Sequence, residues 1–158
     1  MGRFFGRGDK KPTEPADEQF DLSLLAVEGI LGAIGVDPQA ARMDVERGYG
    51  WNFQRGSALI EVYLTSEEQG YLQVLSPIMH LPASNLLALY RRLLELNLQL
   101  TNAALGVHED VIYLYHERLL AGLDAEEADA IIRRLAHYAD ELDDALAGEF
   151  GGRMYGRG

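Results

Sequence analysis

The sequence predicts an α+β fold: an antiparallel five-stranded sheet with three helices in the order α-β-β-β-α-β-β-α. Three observations carry this. Apolar residues recur at steps of three and four around Val27, Leu93 and Leu135, the spacing of a helix with a buried face. Between those stretches the period switches to two, as on half-buried strands. The strands are separated by short turns such as Arg55-Gly56 and His108-Glu109-Asp110, and hairpin-length connections make a sheet antiparallel.

The first helix is expected over Asp21–Ile34, with Leu24, Val27, Leu31 and Ile34 on its buried face and Gly35 and Pro38 as stop signals. Gly29 and Gly32 each weaken it by about 1 kcal/mol relative to alanine; close approach of a neighbouring backbone is the expected return. Tyr49–Gln54 and Ala58–Thr65 alternate as strands, and Tyr71–Ile78 is a third. Pro77 has no N–H, which places it at that strand's end or on an edge. The second helix opens at Pro82–Asn85, with Leu86, Leu87, Tyr90, Leu93, Leu94 and Leu100 apolar. Leu89, Leu96 and Leu98 widen the stripe beyond what one core face requires, so this helix is expected to be covered on two sides. Two strands follow, near Asn102–Val107 and Val111–Glu117. The last helix starts at a capping box, with Asp124 as cap and Glu127 reaching back, and buries Ile131, Leu135, Tyr138 and Leu142.

With 158 residues the chain favours one domain, expected over residues 20–147. Residues 1–19 hold three glycines and two prolines, and residues 148–158 hold five glycines; both are expected to be disordered tails. Cysteine is absent, which excludes disulfides, thiolate metal sites and a thiol nucleophile. The longest apolar run, Leu22–Val36, contains Glu28 and is too short for a bilayer. Neither a secretory h-region nor a myristoylation pattern follows the start, so the expected address is the cytoplasm, with no membrane partner.

Charge is uneven. The net charge is −11, yet residues 1–11 carry four basic residues against Asp9, and residues 148–158 carry Arg153 and Arg157 against Glu149. Residues 12–147 therefore hold −15. Such a body repels phosphate and anionic lipid and steers basic partners toward itself; it also simply keeps a protein soluble.

Catalytic signals are weak. His80, His108, His116 and His137 fall in four different elements without metal-ligand spacing. Asp140, Glu141, Asp143 and Asp144 lack a calcium-loop pattern, and a solvated helix face is the plainer reading. Neither a nucleophile elbow nor a phosphate-binding loop is present. The chain reads as a non-enzyme with no cofactor and no metal. Tyr49, Trp51, Phe53 and Tyr63 are either core residues or aromatic anchors of a groove for a client protein. The tails repeat an arginine-aromatic-glycine pattern in which Arg3, Arg7, Arg153 and Arg157 are an alternative contact for single-stranded nucleic acid; otherwise nucleic acid is not an expected partner.

The residues of the middle of the chain resemble the YbjN family, whose fold is that of the type III secretion chaperones. The likeness rests on Ser76-Pro77-Ile78, Leu81-Pro82, Leu89-Tyr90, Leu93-Leu94-Glu95-Leu96-Asn97, Val111–Tyr115 and Leu123-Asp124. It covers most of residues 20–147, and the run through Asn97 is its most specific part. The resemblance implies a homodimer built on the second helix, here through Leu86, Leu89, Tyr90, Leu93, Leu96 and Asn97. It also implies a client protein, of unstated identity, held as an extended segment on an apolar surface. Function on this reading is a non-enzymatic chaperone or adaptor.

Overall fold

The computed structural model describes residues 14–156. Its elements are α1 (Glu14–Ala33), β1 (Arg42–Met43), β2 (Tyr49–Arg55), β3 (Ala58–Thr65), β4 (Tyr71–His80), α2 (Leu86–Asn97), β5 (Ala104–His108), β6 (Val111–Leu119) and α3 (Ala125–Phe150). The three expected helices and five expected strands are present, and a sixth strand joins them. The antiparallel sheet has the order β1-β2-β3-β4-β6-β5. The added strand, β1, is two residues long and pairs Arg42 with Trp51 and Met43 with Gly50. Two residues cannot show a period, so no alternation marks it in the sequence.

The described residues group into two compact units. One takes in residues up to Phe53 together with Glu61–Val74 and Glu117–Ile132; the other takes in Gln54–Ile60, Leu75–His116 and the chain from Arg133 onward.

In the first unit, α1 buries Val27, Ile30 and Leu31. It begins at Glu14, so residues 14–19, expected in the tail, are helical. Gln19 explains part of this: its amide donates to Leu123 O at 3.2 Å, tying the helix start to the segment before α3. Among the described residues Gly29 and Gly32 meet no neighbouring backbone, for none lies within 4 Å of the point where either side chain would begin. The α3 start matches half of the capping box. Asp124 Oδ1 accepts the Glu127 N–H at 2.8 Å, while both Glu127 carboxylate oxygens accept from the Arg118 guanidinium at 2.7 and 3.0 Å.

In the second unit, β4 does not stop at Pro77 but runs to His80, and in the sheet it lies between β3 and β6. The proline is tolerated because its neighbour substitutes: Ser76 Oγ donates to Leu59 O at 2.7 Å, beside the donor that Pro77 lacks. Antiparallel β5 and β6 pair in register from Ala104↔Tyr115 to His108↔Val111. Glu109 supplies the positive φ of 52° that their turn requires. The expected C-terminal tail is structured through Gly156. Residues 148–150 close α3, and Met154 bridges to Met79. Among the described residues no helix is long and apolar enough to cross a membrane.

Candidate functional site

Helix α2 carries two leucine stripes with opposite fates. Leu89, Leu93 and Leu96, at steps of four and three, are buried within the chain. Leu87, Leu94 and Leu98 face outward at 85, 68 and 89% exposure, and Tyr90 joins them at 38%. Burying one leucine side chain is worth roughly 1.5–3 kcal/mol. The exposed Arg91–Glu95 pair on the same helix, at 2.9 Å, is worth about 0.3–0.5 kcal/mol. The apolar stripe therefore dominates what this helix can do for association.

This revises the expected interface set. Leu89, Leu93 and Leu96 are core residues of their own chain, and Leu86 is half-buried. Tyr90 is exposed as an interface residue must be. Asn97 is occupied elsewhere. Its amide donates to Leu105 O at 3.1 Å, and its Oδ1 accepts the Leu105 N–H at 2.7 Å. The side chain thus acts as a short strand on the outer edge of β5, satisfying two backbone groups of an edge strand. The sequence contained both stripes; which one faces inward is set by what packs on the helix, β5 among its neighbours.

The aromatic residues of β2 are covered. Trp51, Phe53 and Tyr63 are buried and Tyr49 is half-buried. Tyr49 stacks on Trp51 with ring centroids 6.1 Å apart, and Phe20 of α1 lies 5.9 Å from Tyr49. The Arg42 guanidinium sits 4.4 Å over the Tyr49 ring and 5.4 Å from Trp51, held by Glu28 Oε1 at 2.8 Å. A cation clamped over an aromatic pair by a carboxylate is a closed arrangement. Of the two readings for Tyr49, Trp51, Phe53 and Tyr63, core residues is therefore the one the geometry takes. Over Tyr49 and Trp51, part of the cover comes from Arg42 on the unforeseen β1.

The acidic run on α3 is not a solvated face throughout. Asp143 is 2% exposed. Ser57 Oγ lies 2.9 Å from Asp143 Oδ1 and 3.3 Å from Asp140 Oδ1, and the Ser57 N–H donates to Asp140 Oδ1 at 3.0 Å. The turn between β2 and β3 is thereby docked on the helix. Gly56 has φ 56°, and a side chain there would start 1.9 Å from Asp140 Oδ1, so the turn requires glycine. Burial pushes the Asp143 carboxyl above its ordinary range, partly offset by the Ser57 hydrogen bond. Among the described residues, no group of three or more His, Asp or Glu side chains is placed to hold a metal ion. His80 and His137 each have a carboxylate neighbour, Asp110 at 3.9 Å and Glu141 at 3.5 Å.

Arg3, Arg7 and Arg157 lie outside the described residues. Arg153 is exposed, and its carbonyl accepts the His80 N–H at 2.9 Å.

Order of elements, sheet and helices define a class, the α+β fold of the type III secretion chaperones. A chain of the crystal structure of the ExsC–ExsE complex superposes with a TM-score of 0.56, covering 79% of this chain and 95% of that one at 17% identity. At that identity the likeness is one of fold. The chain belongs to the YbjN family, which it matches over residues 23–148 and whose description is "Putative bacterial sensory transduction regulator". Comparison with curated proteins gives no match.

Proposed function

We propose that this chain is a non-catalytic, homodimeric protein-binding module that holds a segment of a client protein in the manner of a chaperone or adaptor, acting in the cytoplasm. The observation that carries the reading is the outward stripe Leu87–Tyr90–Leu94–Leu98 on α2. A second copy is the partner the stripe fits in this reading. The helix repeats it at three- and four-residue steps, as a helix-to-helix contact needs. Family membership supports this reading, and so does a fold shared with a chain from a two-protein complex. The net charge of −11 adds long-range attraction for basic client segments.

The test is the double variant Leu94→Asp/Leu98→Asp, measured by sedimentation velocity beside the unaltered chain. The expected result is monomer with an unchanged far-UV spectrum. Persistence of the dimer would remove α2 from the interface. Affinity capture of a tagged chain from lysate, with nuclease present, addresses the client. Recurrent stoichiometric proteins support the module. Capture that vanishes with nuclease transfers the function to the arginine-bearing tails.

A further inference from the structure

The end of β4 is occupied by the chain's own C-terminal segment. His80 N–H donates to Arg153 O at 2.9 Å, Tyr155 N–H donates to Ile78 O at 3.2 Å, and Met79 and Met154 form an antiparallel bridge between these bonds. The Tyr155 ring stacks on His80 with centroids 5.5 Å apart and planes 22° from parallel. At Gly152 the approach is closest: a side chain there would start 1.8 Å from the Met79 methyl and 3.3 Å from His80 O. Met79 is fully buried, so it has little room to yield. Residues 152–155 thus satisfy a backbone donor and acceptor of β4, with a glycine and an aromatic residue fitting two defined places.

Two backbone bonds and one ring stack are among the contacts that offset the ordering of these four residues. Arg153 and Tyr155 remain exposed, and glycines with positive φ, Gly151 at 67° and Gly156 at 76°, flank the segment. Main-chain pairing at a strand edge supplies affinity without regard to sequence, and side-chain contacts such as those of Gly152 with Met79 and Tyr155 with His80 supply selectivity.

We infer that Ile78–His80 is a strand-addition site for an extended segment of glycine-x-x-aromatic pattern, and that Gly152–Tyr155 is its resident occupant, displaced when such a segment of another protein binds. This rests on the protein-binding reading and gives it a second surface, apart from the α2 stripe.

The probe is a labelled peptide of the chain's own residues 151–158, GGRMYGRG, titrated by fluorescence anisotropy against three full-length chains: unaltered, Gly152→Val and Tyr155→Ala. The two variants, whose own tails seat poorly, are expected to bind the peptide at least about ten-fold more tightly than the unaltered chain, because a tethered tail competes at high effective concentration. The same peptide carrying valine in place of its second glycine should not bind. Hydrogen exchange at the His80 amide should speed up in both variants and slow again on adding peptide, while the Leu105 amide stays unchanged. Equal binding by all three chains, or no binding by either variant, would overturn the site. So would loss of dimer in Gly152→Val, which would mean that the tail is exchanged between copies. Neither equal binding by all three chains nor absence of binding by the variants alters the Leu94→Asp/Leu98→Asp result, so the two proposals fail separately.

Discussion

Asp143 and Asn97 show how far a single polar side chain can decide local structure. Burial disfavours the Asp143 carboxylate, so the folded chain holds that proton to a higher pH than the unfolded chain does. The sign follows from linkage: stability contributed by this group is greatest at acid pH, falls as pH rises from the ordinary carboxylate range to the raised value, and stays lower above it. Asp143→Asn keeps an oxygen for Ser57 Oγ and removes the charge beside Asp140 and Asp144. It is expected to stabilise the chain at pH 7 by on the order of 1 kcal/mol, about 2–4 °C in Tm. Little change is expected near pH 3. Thermal unfolding at the two pH values checks it, and a lower Tm at pH 7 would count against the burial argument. Asn97→Ala leaves both Leu105 backbone groups without their side-chain partner and is expected to destabilise by about 1–3 kcal/mol. Faster exchange of the Leu105 amide, with that of Leu114 retained, is the local signature.

At the scale of the element, α2 divides its leucines between two environments, and substitution should separate them. Leu93→Ala removes a side chain packed inside the chain and is expected to cost about 2–5 kcal/mol in denaturant unfolding. Leu87→Ala, on the outward stripe, should stay within about 0.5 kcal/mol when measured on monomer. Similar losses at both positions would mean that the outward stripe is already covered. Helix α1 adds a contrast: its exposed glycines meet no neighbour among the described residues, and Leu22 and Leu25 are also exposed. Helix-forming substitutions there are expected to stabilise, with Gly32→Ala raising stability by up to about 1 kcal/mol.

For the whole molecule, charge is the governing quantity. A net charge of −11, with residues 12–147 at −15, sets a field that attracts basic segments and that salt screens within about 10 Å at 0.1 M. Association with a basic client segment is therefore expected to slow as salt rises from 0.05 to about 0.5 M, chiefly through the on-rate. A stopped-flow salt series measures this, and a flat series would remove steering from the mechanism.

Fold class, the order of the three helices and of five of the six strands, the Asp124 cap and the family were legible in the chain of residues, because each rests on local periodicity, on turn chemistry or on a contiguous run. The strip of leucines that makes α2 two-sided was legible too. Which stripe faces inward was not. Leu89, Leu93 and Leu96 are the same residue type as Leu87, Leu94 and Leu98, and only packing in three dimensions separates them. Packing in three dimensions also placed Arg42 over Tyr49 and Trp51, buried Asp143 against Ser57, and laid residues 152–155 along β4. Each of these joins residues distant in sequence or elements too short to show a period, and such contacts leave no local pattern to read.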